Sequence, residues 1–311
     1  MSRNVAVIDV GSNSIKLLVA RSGTPNGITQ VFAKTIETRI GAGIGSAVPQ
    51  LSDTAIEAGC GAISRLVDLA RDYEPGCIQI VATSAVRDAS NNADFIDAVR
   101  AKTGLEIRIL KGYEEALYIG RGVAFDPNLQ GKTDFIQVDL GGGSLELIRF
   151  EAGEIKQAIS LQLGAVRLAE RFLKDRNAAI NQEEQAEIRS HVIKTISESN
   201  FDFEPTALSL VATGGSFVIT RAILAGEEDM PIEDHSAMLT RANIISLKTR
   251  LINLSLAERL AIPHLPSSRA DIVPVGLIII EALLDYSGRN DLVHSFFNLR
   301  FGIAAELLAT N

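Results

Sequence analysis

Two hexapeptides of one pattern, Asp-apolar-Gly-x-x-Ser, constrain this chain more than any other feature. They are Asp9-Val10-Gly11-Ser12-Asn13-Ser14 and Asp139-Leu140-Gly141-Gly142-Gly143-Ser144, 130 residues apart in a chain of 311. Each ends one apolar run and precedes another: Val5–Asp9 before Ser14–Arg21, and Asp134–Asp139 before Leu145–Phe150. Both read as strand, tight turn, strand. One such hexapeptide would equally be an ordinary β-hairpin with an acidic residue ahead of its turn. Two in the same context, one in each half, predict two similar domains. A chain of 311 residues, long for one core and short for three, suits that number.

The segments between the repeats fill in an α/β pattern. After the first pair of strands come a third (Ile28–Ile36), a long helix from Ser52 to about Tyr73, and a strand at Ile78–Thr83. A helix at Ala93–Lys102, a strand at Leu105–Leu110 and a helix at Glu114–Gly122 complete the first part. Ser52 is a plausible N-cap and Gly104 a helix stop. The turn cluster Asp126-Pro127-Asn128 with Gly131 is the predicted boundary, giving domains 1–127 and 128–311, with the last helix free to pack back on the first domain. The second part restarts with strands, the third at Ile155–Ser160, then helices to Ser199 and a strand at Leu208–Thr213. From Phe217 onward it reads as mainly helical, ending in a helix at Ala304–Ala309.

Composition removes several classes of function. Hydrophobic residues make up 46%, which argues against a disordered chain. A net charge of −8, aromatics at 5% and no Trp argue against a nucleic-acid binder. Ile272–Leu284 is the longest apolar stretch, and Pro274, Gly276 and Glu281 break it, so no membrane span is expected. Met1-Ser2-Arg3-Asn4 leads directly into the first strand without a signal-peptide core, and Cys60 and Cys77 read as reduced thiols. Cytoplasmic residence is the simplest expectation. The four histidines show no ligand spacing.

The turns suggest phosphate chemistry. Successive backbone N–H groups in a Gly/Ser-rich turn form a nest for phosphate oxygens, and the hydroxyls of Ser12, Ser14 and Ser144 add donors. Gly141, Gly142 and Gly143 permit close approach. Asp9 and Asp139, each at a strand end, would suit a hydrated Mg²⁺ bridging to phosphate in a shared cleft, with Glu146 able to join them. Thr213-Gly214-Gly215-Ser216 is a third strand end, ahead of a helix whose N-terminus favours an anion or is simply a connecting turn. Thr83, Ser84 and Arg87 follow the Ile78–Thr83 strand; Arg87 would hold phosphate or pair with Asp88 or Asp94. Glu114 and Glu115 open a helix, where an acidic pair complements the helix dipole or supplies a carboxylate to orient an attacking water.

Together these residues resemble the exopolyphosphatase/guanosine pentaphosphate phosphohydrolase (Ppx/GppA) family, of the actin-like ATPase superfamily. The resemblance runs through Asp9–Ser14 with Lys16, Glu37-Thr38-Arg39-Ile40-Gly41-Ala42-Gly43, Thr83–Asn91 and Gly112–Ala116. It continues through Asp139–Glu146, Leu163-Gly164-Ala165-Val166-Arg167-Leu168, Thr213–Ser216, and Arg269-Ala270-Asp271 with Gly276. It implies two ribonuclease H-like domains with a cleft between them. It also implies Glu115 as the catalytic carboxylate, and Asp9, Asp139 and Glu146 on the side of a Mg²⁺ or Mn²⁺ ion. Ser12, Asn13, Ser14, Arg87, Gly141–Ser144 and Gly214, Gly215 and Ser216 are then phosphate-binding. Lys16, Arg39, Arg167 and Arg269 would guide a polyphosphate chain, or else serve as surface or packing charges.

The implied activity is hydrolysis of the terminal phosphoanhydride of inorganic polyphosphate. The alternatives are removal of the 5′-terminal phosphate of guanosine pentaphosphate, a small-molecule kinase, and a non-catalytic nucleotide or alarmone sensor. A homodimer is implied by resemblance alone. Two departures stand out. The chain reads as the short, two-domain form, without the helical domain that longer members add. In Asn298-Leu299-Arg300-Phe301-Gly302, Phe301 takes the place of the family's usual acidic residue, a change expected to bear on domain docking or dimer contacts.

Overall fold

The run Val5–Val10 (β1) is buried at every position except the partly exposed Asp9, which makes it a central strand. It pairs antiparallel with β2 (Ser14–Ser22), which pairs antiparallel with β3 (Ile28–Glu37). After α1 (Asp53–Arg71), β4 (Ile78–Ala82) lies parallel to β1 on its other side. The short α2 (Ser84–Arg87) and α3 (Asn92–Thr103) follow. Next come β5 (Ile107–Ile109), parallel to β4, and α4 (Gly112–Val123). The sheet order is β3-β2-β1-β4-β5. Helix α1 starts where the Ser52 side chain accepts a hydrogen bond from the Ala55 N–H (3.1 Å), and α3 stops at Gly104, which takes the left-handed φ of 72°.

The second sheet repeats this plan. β6 (Phe135–Leu140), β7 (Leu145–Glu151) and β8 (Glu154–Leu161) form the antiparallel meander. After α5 (Ala165–Phe172) and α6 (Gln182–Glu198), β9 (Ser209–Thr213) pairs parallel with β6. Then follow α7 (Gly215–Glu227), β10 (Met238–Thr240), α8 (Arg241–Ile252), α9 (Leu256–Arg259), α10 (Val273–Ser287) and β11 (Asp291–His294). The order is β10-β11-β9-β6-β7-β8, so β8-β7-β6-β9-β11 matches the first sheet strand for strand and β10 is an added antiparallel edge. The apolar α10 is the core helix here, packed against α5, α6 and α8. Each half is a ribonuclease H-like α/β unit.

The last helix, α11 (Leu299–Thr310), belongs with the first sheet, where it packs on α4, β1 and β2. Two glycines set the α4–α11 crossing. A Cβ on Gly122 would lie 2.0 Å from the Asn298 carbonyl oxygen, and one on Gly302 would lie 2.0 Å from that of Tyr118. At the rim, the Tyr118 hydroxyl donates to Glu306 (2.7 Å) and Arg121 pairs with Glu306 (3.2 Å). Phe301 is buried and packs on Phe297, with ring centroids 4.3 Å apart, so this departure from the family pattern fills an apolar position inside the first unit.

The computed structural model describes residues 4–23 and 27–310; Met1–Arg3, which carry part of the N-terminal reading, lie outside them. It divides into Met1–Gly131 with Phe297–Asn311, and Lys132–Phe296. The boundary falls four residues later than the sequence predicts, and 297–311 joins the first unit, the docking that the sequence left open for the last helix. β10, β11 and α2 do not show in the sequence pattern, and α11 begins five residues earlier than predicted. Among the described residues no helix is long and apolar enough to cross a membrane. No disulfide joins Cys60 and Cys77.

Candidate active site

In the first unit the β1–β2 turn closes with the Gly11 N–H donating to the Ser14 carbonyl (3.1 Å). The chain leaving β3 hangs on this turn. The Thr38 and Arg39 N–H groups donate to Asn13 O (3.1 and 3.0 Å), and that of Gly41 donates to Ser12 O (2.7 Å). Only glycine fits at Gly41, where a Cβ would stand 2.6 Å from that of Ser12. Asn13 donates to Glu37 (2.7 Å), and the Ser12 hydroxyl meets that of Ser84 at 3.2 Å. Ser12, Asn13, Ser14 and Ser84 are all buried polar residues.

α2 and α4 bring Arg87 and Glu115 together. An Arg87 Nη1–H donates to Glu115 Oε2 at 2.7 Å and to the Leu110 carbonyl at 3.1 Å. The contact with Asp88 is longer, 3.4 Å. The acidic pair opening α4 therefore splits its work. Glu114 accepts from the Lys111 N–H (3.0 Å) and pairs with Arg108 (3.0 Å), which hold its carboxyl below the usual range. Glu115, only 6% exposed, turns inward to Arg87. Asp9 stands directly across the hairpin from Lys16. Burial pushes its carboxyl upward, while Lys16 and Arg300 pull it the other way.

In the second unit the equivalent turn closes identically, Gly141 N–H to Ser144 O at 3.0 Å. Here the N-terminus of α5 covers it. Ala165 N–H donates to Gly141 O (3.1 Å), and the N–H groups of Val166 and Arg167 donate to Gly142 O (2.8 and 3.1 Å). Arg167 is buried, and its Nε–H donates to Gly143 O at 2.8 Å. Arg167, which the sequence offers as a guide for substrate or a packing charge, braces the glycine turn through this bond. The third loop turns at Gly214, with φ of 106°; a Cβ there would lie 2.4 Å from Leu140 O and 2.9 Å from Asp139 Oδ1. The Arg269 guanidinium lies against Gly215, where a Cβ would come within 2.1 Å of Nη1. A cation beside the first turn of α7 adds to the helix dipole in favouring an anion. Ser216 packs against Gly276.

Asp139 lies directly across the β6–β7 hairpin from Glu146, so the acid that faces Lys16 in the first unit faces another acid in the second. Thr213 Oγ1–H donates to Asp139 Oδ2 (2.6 Å), and Ser160 Oγ–H donates to Glu146 Oε1 (2.7 Å). The donor chemistry, carboxylates and hydroxyls only, suits a hard cation such as Mg²⁺. No group of three or more His, Cys, Asp or Glu converges among the described residues. The sequence reading passed over Ser160, although strand alternation alone places it opposite Glu146 once the β7–β8 register is known. Arg39 meets the first turn through its backbone, at a left-handed φ of 52°.

This framework has relatives among solved structures. An Aquifex aeolicus member of the Ppx/GppA family is 24% identical, with 100% of this chain and 99% of that one covered and a TM-score of 0.80. An exopolyphosphatase from Cytophaga hutchinsonii is 22% identical over 99% and 98%, at 0.88. A protein described as exopolyphosphatase-like is 25% identical over 98% of each chain, also at 0.88. A family model for Ppx/GppA phosphatases matches residues 18–310. The chain thus belongs to the Ppx/GppA phosphatase family, whose members are phosphohydrolases.

Proposed function

We propose that this phosphohydrolase is an exopolyphosphatase, which removes the terminal phosphoryl group of inorganic polyphosphate as orthophosphate in a Mg²⁺-dependent reaction. The observation that carries the reading is the 2.7 Å contact between Arg87 and Glu115. On this reading the guanidinium that would bind phosphate and the carboxylate that would orient a water lie within one hydrogen bond of each other.

Phosphoryl transfer needs little covalent help from a protein; positioning and charge stabilisation do most of the work. In the proposed reaction the backbone N–H groups and hydroxyls of Gly/Ser-rich turns hold phosphoryl oxygens. A guanidinium has five N–H donors, so Arg87 can contact both Glu115 and an equatorial oxygen. Glu115 accepts a hydrogen bond from the attacking water and aligns it opposite the leaving oxygen. Asp139 and Glu146 are the carboxylates that would hold the divalent cation, which neutralises charge on the phosphate chain. Asp9, already facing Lys16, would hold that ammonium toward phosphate.

Release of phosphate, measured side by side on short polyphosphate, long polyphosphate, guanosine pentaphosphate and ATP, tests the assignment. Polyphosphate should be turned over with the highest kcat/KM. A preference of tenfold or more for guanosine pentaphosphate would reassign the substrate. Tight binding without release in Mg²⁺ or Mn²⁺ would point to a sensor.

A further inference from the structure

Four side chains form a row across four adjacent strands of the second sheet: Ser160 on β8, Glu146 on β7, Asp139 on β6 and Thr213 on β9. Each stands directly opposite the next in register. Opposed residues share a sheet face, and like charges opposed in this way repel. Each inner carboxylate is met from its outer side by a hydroxyl, Ser160 to Glu146 at 2.7 Å and Thr213 to Asp139 at 2.6 Å. A third residue sets the direction of the second bond. Gln137, two residues before Asp139 on the same face, presents its amide N–H to Thr213 Oγ1 at 3.4 Å. The threonine has one proton to give, and with a donor behind it that proton goes to Asp139. Gln137 and Thr213 are fully buried and Glu146 is 1% exposed.

The first unit provides an internal comparison. Its matching row is Thr35, Lys16, Asp9 and Val81. Where the second unit opposes two acids, the first opposes an acid and a base. Where the second has Thr213, the first has Val81. The hydroxyl on the β9 side thus accompanies the copy with two carboxylates.

We propose that Ser160 and Thr213, the latter backed by Gln137, are positioning residues that pin one oxygen of Glu146 and Asp139, fixing the planes of both carboxylates as a seat for a divalent cation. This rests on reading Asp139 and Glu146 as the cation-side carboxylates. Groups that hold a ligand from behind commonly change metal affinity by about 10- to 100-fold when removed.

The test is Mn²⁺ binding to the full-length chain, followed by the loss of the free-ion EPR signal, beside thermal unfolding in the absence of metal. Ser160→Ala and Thr213→Val should each weaken Mn²⁺ about tenfold or more, while Ser160→Thr and Thr213→Ser, which keep the donor, should restore it to within about threefold. Ser160 is only half-buried, so its alanine variant tests the idea even if Thr213→Val fails to fold. If Ser160→Ala and any folded Thr213→Val bind Mn²⁺ as the parent does, whatever their unfolding temperature, the hydroxyls serve only the fold and the proposal is overturned. Asp139→Asn separates the two layers. Loss of Mn²⁺ there with normal binding in the hydroxyl variants overturns the positioning role alone. Parental affinity in Asp139→Asn, or no Mn²⁺ bound by the parent, overturns the cation-side reading as well.

Discussion

Arg87 and Glu115 come from elements 28 residues apart in sequence, yet hold each other at 2.7 Å. The pair is more than a surface bridge, because Glu115 is buried and Arg87 is also anchored to a backbone carbonyl. A buried carboxylate is met here by a paired guanidinium, the usual company of a buried acid. Another residue, away from the phosphate loops, shows the opposite arrangement. His294 is buried beside Arg221, and burial first, then that guanidinium, pushes its imidazole from 6.5 down to about 3. The folded chain therefore keeps His294 neutral where the unfolded chain would protonate it. Its contribution to stability is complete above about pH 6.5 and is lost progressively as pH falls toward 3, by about 1.4 kcal/mol per pH unit at most. In equilibrium unfolding between pH 7 and 4, His294→Gln should lose stability less steeply than the parent. Equal slopes would mean that other groups account for the acid limb.

At the scale of elements, the α4–α11 crossing ties the C-terminal helix to the one that carries Glu115. With a Cβ on Gly302 only 2.0 Å from the Tyr118 carbonyl oxygen, the crossing has no room for alanine. Gly302→Ala should cost about 1–3 kcal/mol through overpacking, seen as a fall in Tm, and should lower phosphate release by shifting α4. A variant with parental Tm and turnover would show that the two helices part freely. The same helix marks where sequence reading ran out. From sequence α11 reads as beginning at Ala304, whereas it begins at Leu299 and holds Gly302 at the close crossing. Strands of three and four residues, β10 and β11, are too short to show a period. The long strands and both turns were legible because alternation and Gly/Ser chemistry are local. The row from Ser160 to Thr213 was not, since it depends on the register of strands more than 50 residues apart. Which of Glu114 and Glu115 caps α4 and which meets Arg87 depends on the side of the helix that faces Arg87; the resemblance, not the local pattern, singles out Glu115.

For the whole molecule, the repeat seen as two hexapeptides extends to two sheets with the same five-strand order and the same turn-closing hydrogen bond. The copies have diverged electrically. The sequence up to Pro127 carries 13 Lys+Arg against 14 Asp+Glu, and the remainder 17 against 24, so the excess acid lies in the second part. Moving 297–311 to the first unit transfers one base, Arg300, and one acid, Glu306, and leaves this contrast unchanged. An anionic substrate is consistent with a net charge of −8 when fixed cations and backbone donors line its path. Lys16 and Arg87 are the cations proposed for phosphate in the first unit; in the second, Asp139 and Glu146 oppose each other. The most direct test of the central claim is phosphate release from short polyphosphate by Glu115→Gln, with polyphosphate binding measured on the same sample. The account predicts at least a loss of about a hundredfold in release, with binding retained within about threefold because the phosphate-holding groups are untouched. Parental turnover in Glu115→Gln would contradict it.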